Sequence, residues 1–173
     1  TLAKTILVLK RTHMASFQRT DSSTARNKAV LLVLYGSQNG CAEAVAQRIA
    51  AEAEQKGWSS ELKPGNSFKK LQQGKFCEYE HVLIVSSTTG NGDPPDSIER
   101  FFRWLKRKSH PETLLERMNY AVLGLGDTNY DQFCFIGKKI DERMAELGGM
   151  RMHPLGCADD ATGLDAVIEP WIT

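Results

Sequence analysis

From Val30 onward, short runs of consecutive apolar residues alternate with segments in which apolar residues recur every three or four positions. The continuous runs have the length of strands and lack a polar face, as expected of strands buried on both sides of a parallel sheet. The intervening segments have the spacing of amphipathic helices. The pattern predicts strands at 30–35, 58–62, 81–87, 120–126 and 151–155, and helices at 42–56, 97–108, 136–147 and 164–172, with one short helix inside 63–80.

This alternation predicts an α/β fold. Because crossovers between parallel strands are right-handed, the elements form a doubly wound five-stranded parallel sheet with helices on both faces. Residues 29–173 contain no internal repeat or linker and are expected to form one domain.

Residues 1–28 have a different character, since a short apolar run at 5–9 is followed by a basic, Ser/Thr-rich and weakly patterned stretch. We expect a flexible or vector-derived N-terminal extension. An added edge strand or the tail of a lost anchor is the alternative.

Composition narrows the class of protein. The 173 residues are 41% hydrophobic and 25% charged, with a net charge of +1. A near-neutral chain gives no support to a nucleic-acid partner, and no apolar run approaches the roughly 18 residues of a membrane span. The four cysteines are far apart in sequence without C-x-x-C spacing, so we expect reduced thiols and a cytoplasmic location. The four histidines do not cluster, and no metal site is expected.

Three unusual loops follow the first, third and fourth predicted strands, where ligands bind in doubly wound sheets. The first, "GSQNGCA" at 36–42, offers small residues, hydroxyl and amide donors and the start of a helix, but no lysine or arginine. Such a loop can cradle a phosphate with dipoles alone. It lacks the lysine of the Walker pattern. A plain strand-to-helix connection is the alternative.

The other two loops are "SSTTGNGDPPD" at 86–96 and "GLGDTNYDQFC" at 124–134. Gly90 and Gly92 would allow close backbone approach to a ligand, and Asp93 or Asp96 could cap the next helix. The third loop is not a dinucleotide fingerprint, because Asn129 replaces its last glycine. Its aromatic residues, Tyr130 and Phe133, either stack on a planar ring or pack the loop onto the core.

Together these loops, with "GCADD" at 156–160 and "VIEPWI" at 167–172, resemble the flavodoxin-like FMN domain of the diflavin reductases, the family of cytochrome P-450 reductase and methionine synthase reductase. The resemblance covers about residues 29–173. Within the family, "YDQFCFIGKKIDERMAELGG" and "ADDATGLDAVIEPWI" are most similar to methionine synthase reductase.

The resemblance implies an FMN site and assigns its residues. The FMN phosphate is held by Ser37, Gln38, Asn39, Gly40, Cys41 and Ala42. One side of the flavin ring is lined by Ser87, Thr88, Thr89 and Gly90. The other face is covered by Leu125, Gly126, Asp127, Thr128, Asn129, Tyr130, Asp131, Gln132, Phe133 and Cys134, with Tyr130 stacked on the ring. Asp160 lies near the edge of the cofactor.

Three positions depart from the family pattern. Asn39 and Cys41 replace threonines, which we expect to matter little because backbone donors do most of the phosphate binding. Thr89 stands where cytochrome P-450 reductase has an aromatic residue, so one face of the flavin is expected to be less covered.

The implied function is an electron relay from an NADPH/FAD reductase module to a haem or corrin protein. No catalytic residue is expected, because the flavin supplies the chemistry. The sequence contains no such module, so we expect it to be a piece of a longer NADPH-dependent diflavin oxidoreductase. The full-length protein would be free in the cytoplasm or on the cytosolic side of a membrane. A free-standing flavodoxin and a non-enzymatic interaction module with this fold are the alternatives.

Acidic residues concentrate in the predicted ligand-binding loops. A negative rim around the flavin would steer a basic partner toward it. Caps and solvated loops are the alternative role for these residues, which are Asp93, Asp96, Asp127, Asp131, Asp159 and Asp160.

Overall fold

The computed structural model describes Leu2, Lys4, Thr5 and residues 30–68 and 73–173. Its strands are β1 (Val30–Gly36), β2 (Ser59–Pro64), β3 (His81–Ser87), β4 (Asn119–Gly126), β5 (Met150–Arg151) and β6 (Gly156–Asp159). Its helices are α1 (Cys41–Gln55), α2 (Gln73–Phe76), α3 (Glu99–Leu105), α4 (Phe135–Glu146) and α5 (Asp165–Ile172), with a 3-10 turn at Gly65–Ser67. The predicted residues 1–28 extension lies outside the described residues, apart from the three named.

All strand pairs are parallel, in the order β2-β1-β3-β4-β5, with β6 also paired to β4. The sheet therefore has five positions, and the fifth is shared by β5 and β6. The predicted doubly wound α/β fold is confirmed. Because β1, β3 and β4 run in the same direction, their carboxyl ends meet at one edge, and the three unusual loops emerge there.

Two apolar cores cover the two faces of the sheet. In β1, Leu31 and Val33 belong to the core under α1 and α5, whereas Leu32 and Leu34 face α3 and α4. All four side chains are buried, which explains why the strand has no polar face. Leu2 packs into the first core. No helix in the described part of the chain is long and apolar enough to cross a bilayer.

The predicted fifth strand at 151–155 is wrong in position. The sheet contains Met150–Arg151 and then Gly156–Asp159, while 152–155 leave the ladder. Pro154 has no N–H to donate to a neighbouring strand, and its carbonyl instead accepts the indole N–H of Trp171 at 2.9 Å. The later strand, β6, extends to the carboxyl edge and places Asp159 and Asp160 there.

Capping of α3, a possible role of Asp93 or Asp96, is carried out by another residue. Asn66, which follows β2, accepts the main-chain N–H groups of Arg100 and Phe101 at 2.9 and 3.3 Å through its side-chain oxygen. Because Asn66 contacts the start of α3, loop 86–96 is not needed there and can contact the other two loops.

Candidate functional site

A cleft of about 590 Å³ lies at the carboxyl edge of β1, β3 and β4. All three loops contribute to its wall, as the sheet topology requires. The residues that line it are Ser37, Gln38, Asn39, Cys41, Ser87, Thr88, Thr89, Gly90, Leu125, Gly126, Asp127, Tyr130, Gln132, Asp160 and Leu164. Every one of these except Leu164 belongs to the predicted site, and no lysine or arginine is among them.

The first loop ends at Gly40, which adopts a left-handed conformation with φ 86° and begins α1. A side chain would be strained there although the space beside it is open. Within the described residues no side chain caps the helix, and the N–H groups of its first three residues lack intrahelical acceptors. Ala42 has a buried side chain, so it can contribute only its main chain. The start of α1 therefore presents unpaired backbone donors and a positive dipole end.

Ser37 has its main chain anchored and its side chain unpaired. Its N–H donates to the Ser97 hydroxyl at 2.9 Å, and its carbonyl accepts from that hydroxyl at 3.0 Å. The Ser37 Oγ is buried and has no partner among the described residues. Buried hydroxyls are normally hydrogen-bonded. An orphan donor beside a helix start and in a cleft wall without basic side chains fits a phosphate held by neutral donors.

Cys41, in the first turn of α1, is exposed. Burial of part of its thiol, together with the negative charges of Asp160 and Asp165, raises its pKa. The group therefore stays a neutral thiol near neutral pH and adds no negative charge to the proposed phosphate site.

The second loop is closed by its own hydrogen bonds and contacts the first loop. Thr89 and Asp93 exchange main-chain hydrogen bonds of 2.9 and 2.8 Å, which close the turn that contains Gly90 and Gly92. The main-chain N–H of Asp96 donates to the Gln38 side chain at 3.3 Å. Contacts of the second loop thus hold the first loop in place.

The third loop is held by carboxylates at its start. Asp127 accepts the Asn129 N–H at 2.8 Å, which forms a tight turn. Asp159 accepts the main-chain N–H and hydroxyl of Thr128 at 3.0 and 2.8 Å. The hydrogen bond from the Thr128 main chain leads the contacts that lower the Asp159 pKa. Tyr130, just beyond this clamp, is 63% exposed and lies in the cleft wall.

Asp159 is only 8% exposed. It therefore clamps the third loop and does not belong to an exposed acidic rim, which corrects that part of the rim prediction. The other rim residues remain at the surface, with Asp127 half-buried and the rest exposed, namely Asp93, Asp96, Asp131 and Asp160.

The remaining predicted site residues lie around or behind the cleft. Asn129 and Asp131 line an adjoining polar cleft of about 270 Å³, and Thr128 is held by Asp159. Phe133 is half-buried, with the Lys138 ammonium 5.0 Å from its ring centre. Cys134 is buried and packs against Gly126. A Cβ atom at position 126 would lie 2.6 Å from the Cys134 nitrogen. The glycine is therefore needed for the close approach of the two segments.

Sequence analysis missed several residues that shape the site. Ser97 and Asn66 each form hydrogen bonds with a segment that is distant in sequence. No local sequence pattern reveals such a contact. Leu164 reaches the cleft because α5 begins next to it. In the described part of the chain, no group of three or more His, Cys, Asp and Glu residues is placed to hold a metal ion.

Comparisons with known proteins agree with this geometry. The Flavodoxin family model matches residues 33–171. The chain is 43% identical to methionine synthase reductase from Bos taurus over 82% of this chain and 20% of that protein. It is 40% identical to NADPH-dependent diflavin oxidoreductase 1 from Bos taurus over 83% of this chain and 24% of that protein. Among solved structures, a mutant flavodoxin from Pseudomonas aeruginosa is similar with a TM-score of 0.69 and 28% identity, covering 83% of this chain and 93% of that one.

The chain thus spans about a fifth to a quarter of the length of these curated relatives. Those relatives are oxidoreductases by name. The segment that matches the Flavodoxin family model, residues 33–171, contains the loops that form the cleft. The chain belongs to the flavodoxin family and is homologous to the corresponding region of the diflavin reductases.

Proposed function

We propose that this chain binds one FMN and transfers electrons as the flavodoxin-like domain of a diflavin reductase. The observation that carries the proposal is the first loop. Among the residues that the structure describes, the buried Ser37 hydroxyl and the start of α1 have donors without a partner, and no basic side chain lines the cleft. FMN, when bound, supplies reversible one-electron chemistry. The protein supplies binding, orientation and electrostatics.

Ser37 through Ala42 would hold the phosphate. Ser87 through Gly90 and Leu125 through Cys134 would border the flavin ring, with Tyr130 stacked on it and Asp160 near its edge. Gly126 favours this arrangement, since it lets the cleft wall lie close against Cys134. Thr89 contributes a small side chain, so we expect part of one ring face to be open to solvent. The phosphate cradle is one short loop without an adenosine-binding fingerprint, which favours FMN over FAD or NAD.

We further propose that the full-length protein contains an FAD/NADPH-binding reductase module. The names and greater lengths of the relatives support this, because they include an NADPH-dependent diflavin enzyme. The acceptor would be a haem or corrin protein, and the location cytoplasmic or on the cytosolic side of a membrane. The 40–43% identity to diflavin reductases, against 28% to the P. aeruginosa flavodoxin, favours this role over that of a free-standing carrier.

Release of the cofactor from purified protein tests the proposal. We expect a yellow protein from which heat or acid liberates FMN, identified by chromatography, at one molecule per chain. Recovery of FAD, or no flavin binding after incubation with FMN, would overturn it.

A further inference from the structure

Two of the four cysteines, far apart in sequence, lie together behind the wall of the cleft. Cys134 is buried at the start of α4 and has a left-handed backbone with φ 52°. Its Sγ lies 3.6 Å from the carbonyl oxygen of Ala158, the residue next to Cys157. The Cys134 thiol therefore points at β6.

Strand register places Cys157 beside it. Cys157 pairs with Gly124 of β4, and paired residues of neighbouring strands project to the same face of a sheet. A Cβ at Gly124 would lie 3.2 Å from the Cys134 Cβ and 3.5 Å from its Sγ. Cys134 thus occupies the space over Gly124, next to the side chain of Cys157. The missing side chain at Gly124 leaves room for the two sulfurs to approach each other.

The two thiols have unequal environments. Cys157 is half-buried and reachable from solvent, whereas Cys134 is buried. The neighbouring Cys134 thiol and the positive charge of Lys138 lower the pKa of Cys157, against the opposing effects of burial and Asp141. The neighbouring Cys157 side chain and burial raise the pKa of Cys134, to which Asp159 also contributes. Since the thiolate is the reactive form, Cys157 is the more nucleophilic of the pair.

We propose that Cys134 and Cys157 are an oxidisable dithiol, in which Cys157 reacts first with hydrogen peroxide and Cys134 closes a reversible disulfide between the start of α4 and β6. In the first step the Cys157 sulfur attacks a peroxide oxygen and the O–O bond breaks, which leaves a sulfenic acid and releases water. In the second step the Cys134 sulfur attacks the sulfenic sulfur, the S–S bond forms, the S–O bond breaks and a second water leaves with the Cys134 proton. Two thiols lose two electrons and two protons, and one hydrogen peroxide becomes two waters.

Equimolar hydrogen peroxide, added to the reduced protein with and without FMN, tests this site. We expect intact mass to fall by two hydrogen atoms and two thiols to disappear from a titration in denaturant, both reversed by dithiothreitol. Peptide mapping without reduction should join the peptides that contain Cys134 and Cys157. This readout needs no variant and no flavin, so it is independent of the proposed function.

Variants assign the roles. Cys157→Ser should abolish the disulfide, whereas Cys134→Ser should leave a Cys157 sulfenic acid that dimedone traps. Cys77→Ser is the matched control: burial raises the pKa of this half-buried thiol, and its loss should leave oxidation of the pair unchanged. The proposal is overturned if peroxide oxidises single cysteines or links chains through Cys41 while the mapped wild-type protein contains no Cys134–Cys157 disulfide.

Discussion

The first and third loops border the same cleft but are stabilised in different ways. The first loop is fixed by its neighbour through Ser97 and Gln38, and its buried Ser37 hydroxyl still has no partner among the described residues. The third loop is fixed near its start by Asp127 and Asp159 and at its end by Lys138, whose ammonium donates to the Phe133 carbonyl at 2.8 Å. Tyr130, between these anchors, is largely exposed.

This difference indicates a division of labour. A rigid loop with unpaired donors is preorganised for an anion, because no protein contact has to break before the ligand binds. An exposed aromatic side chain on a partly anchored loop can adjust to a planar ring, and it gains apolar contact only when the ring is present. We therefore expect changes in the first loop to affect affinity more than changes in the third.

The largest expected effect is that of Ser37→Ala. Loss of a hydrogen bond to a charged phosphate costs about 1.5–3 kcal/mol, roughly a tenfold to hundredfold loss in FMN affinity. The free energy of unfolding of the apo-protein should stay nearly unchanged, because the removed hydroxyl has no hydrogen-bond partner in the described part of the chain. Flavin fluorescence titration and urea unfolding measure the two quantities. Ser60→Ala, on the distant β2, is the control. A variant that loses stability and keeps its affinity would assign Ser37 a purely structural role.

Ser97→Ala should differ from Ser37→Ala by lowering the stability of the apo-protein as well as its FMN affinity. It removes two hydrogen bonds to the Ser37 main chain, each worth about 0.5–1.5 kcal/mol. Apo-protein stability should fall by that sum, and FMN affinity should fall as well because the first loop is no longer held. If both quantities match wild type, the first loop does not depend on its neighbour.

Much of this comparison could not be read from sequence. Loop 36–42 shows its small residues and lack of charge directly, because a strand-to-helix turn is local. The contact of Ser97 with Ser37 depends on the packing of two loops 60 positions apart, and no pattern in either predicts it. Strands β1 and β3 were predictable from their continuous apolar runs. The division of the fifth sheet position between β5 and β6 was not predictable, because it depends on Pro154 and on the hydrogen bond that Trp171 donates to its carbonyl.

Tyr130→Ala should have a smaller effect than Ser37→Ala. A stacked aromatic pair is worth about 0.5–1.5 kcal/mol beyond burial, so affinity should fall at most about tenfold. Tyr130→Phe retains the ring and should bind like wild type. Unchanged affinity and unchanged flavin fluorescence in Tyr130→Ala would return this residue to a role in loop packing.

The smallest effect concerns the exposed acidic residues and the rate of electron transfer. In the FMN-loaded, chemically reduced domain, the rate to cytochrome c should fall as ionic strength rises past about 0.1 M, where the screening length is about 10 Å. Asp93→Lys/Asp96→Lys should slow transfer a few-fold without releasing FMN. Glu112→Lys/Glu116→Lys, before the amino end of β4, makes the same charge change as a control. Equal rates in both double variants, together with no salt dependence, would show that the exposed acidic residues do not steer the partner protein.

The central claim is that the first loop is a phosphate site built from neutral donors. Titration of the apo-protein with FMN and with riboflavin, which has the same ring system without the phosphate, tests it most directly. FMN should bind at least roughly a hundredfold more tightly, the equivalent of about 3 kcal/mol, and Ser37→Ala should narrow that gap. Equal affinity for FMN and riboflavin, or tighter binding of FAD than of FMN, would contradict the account.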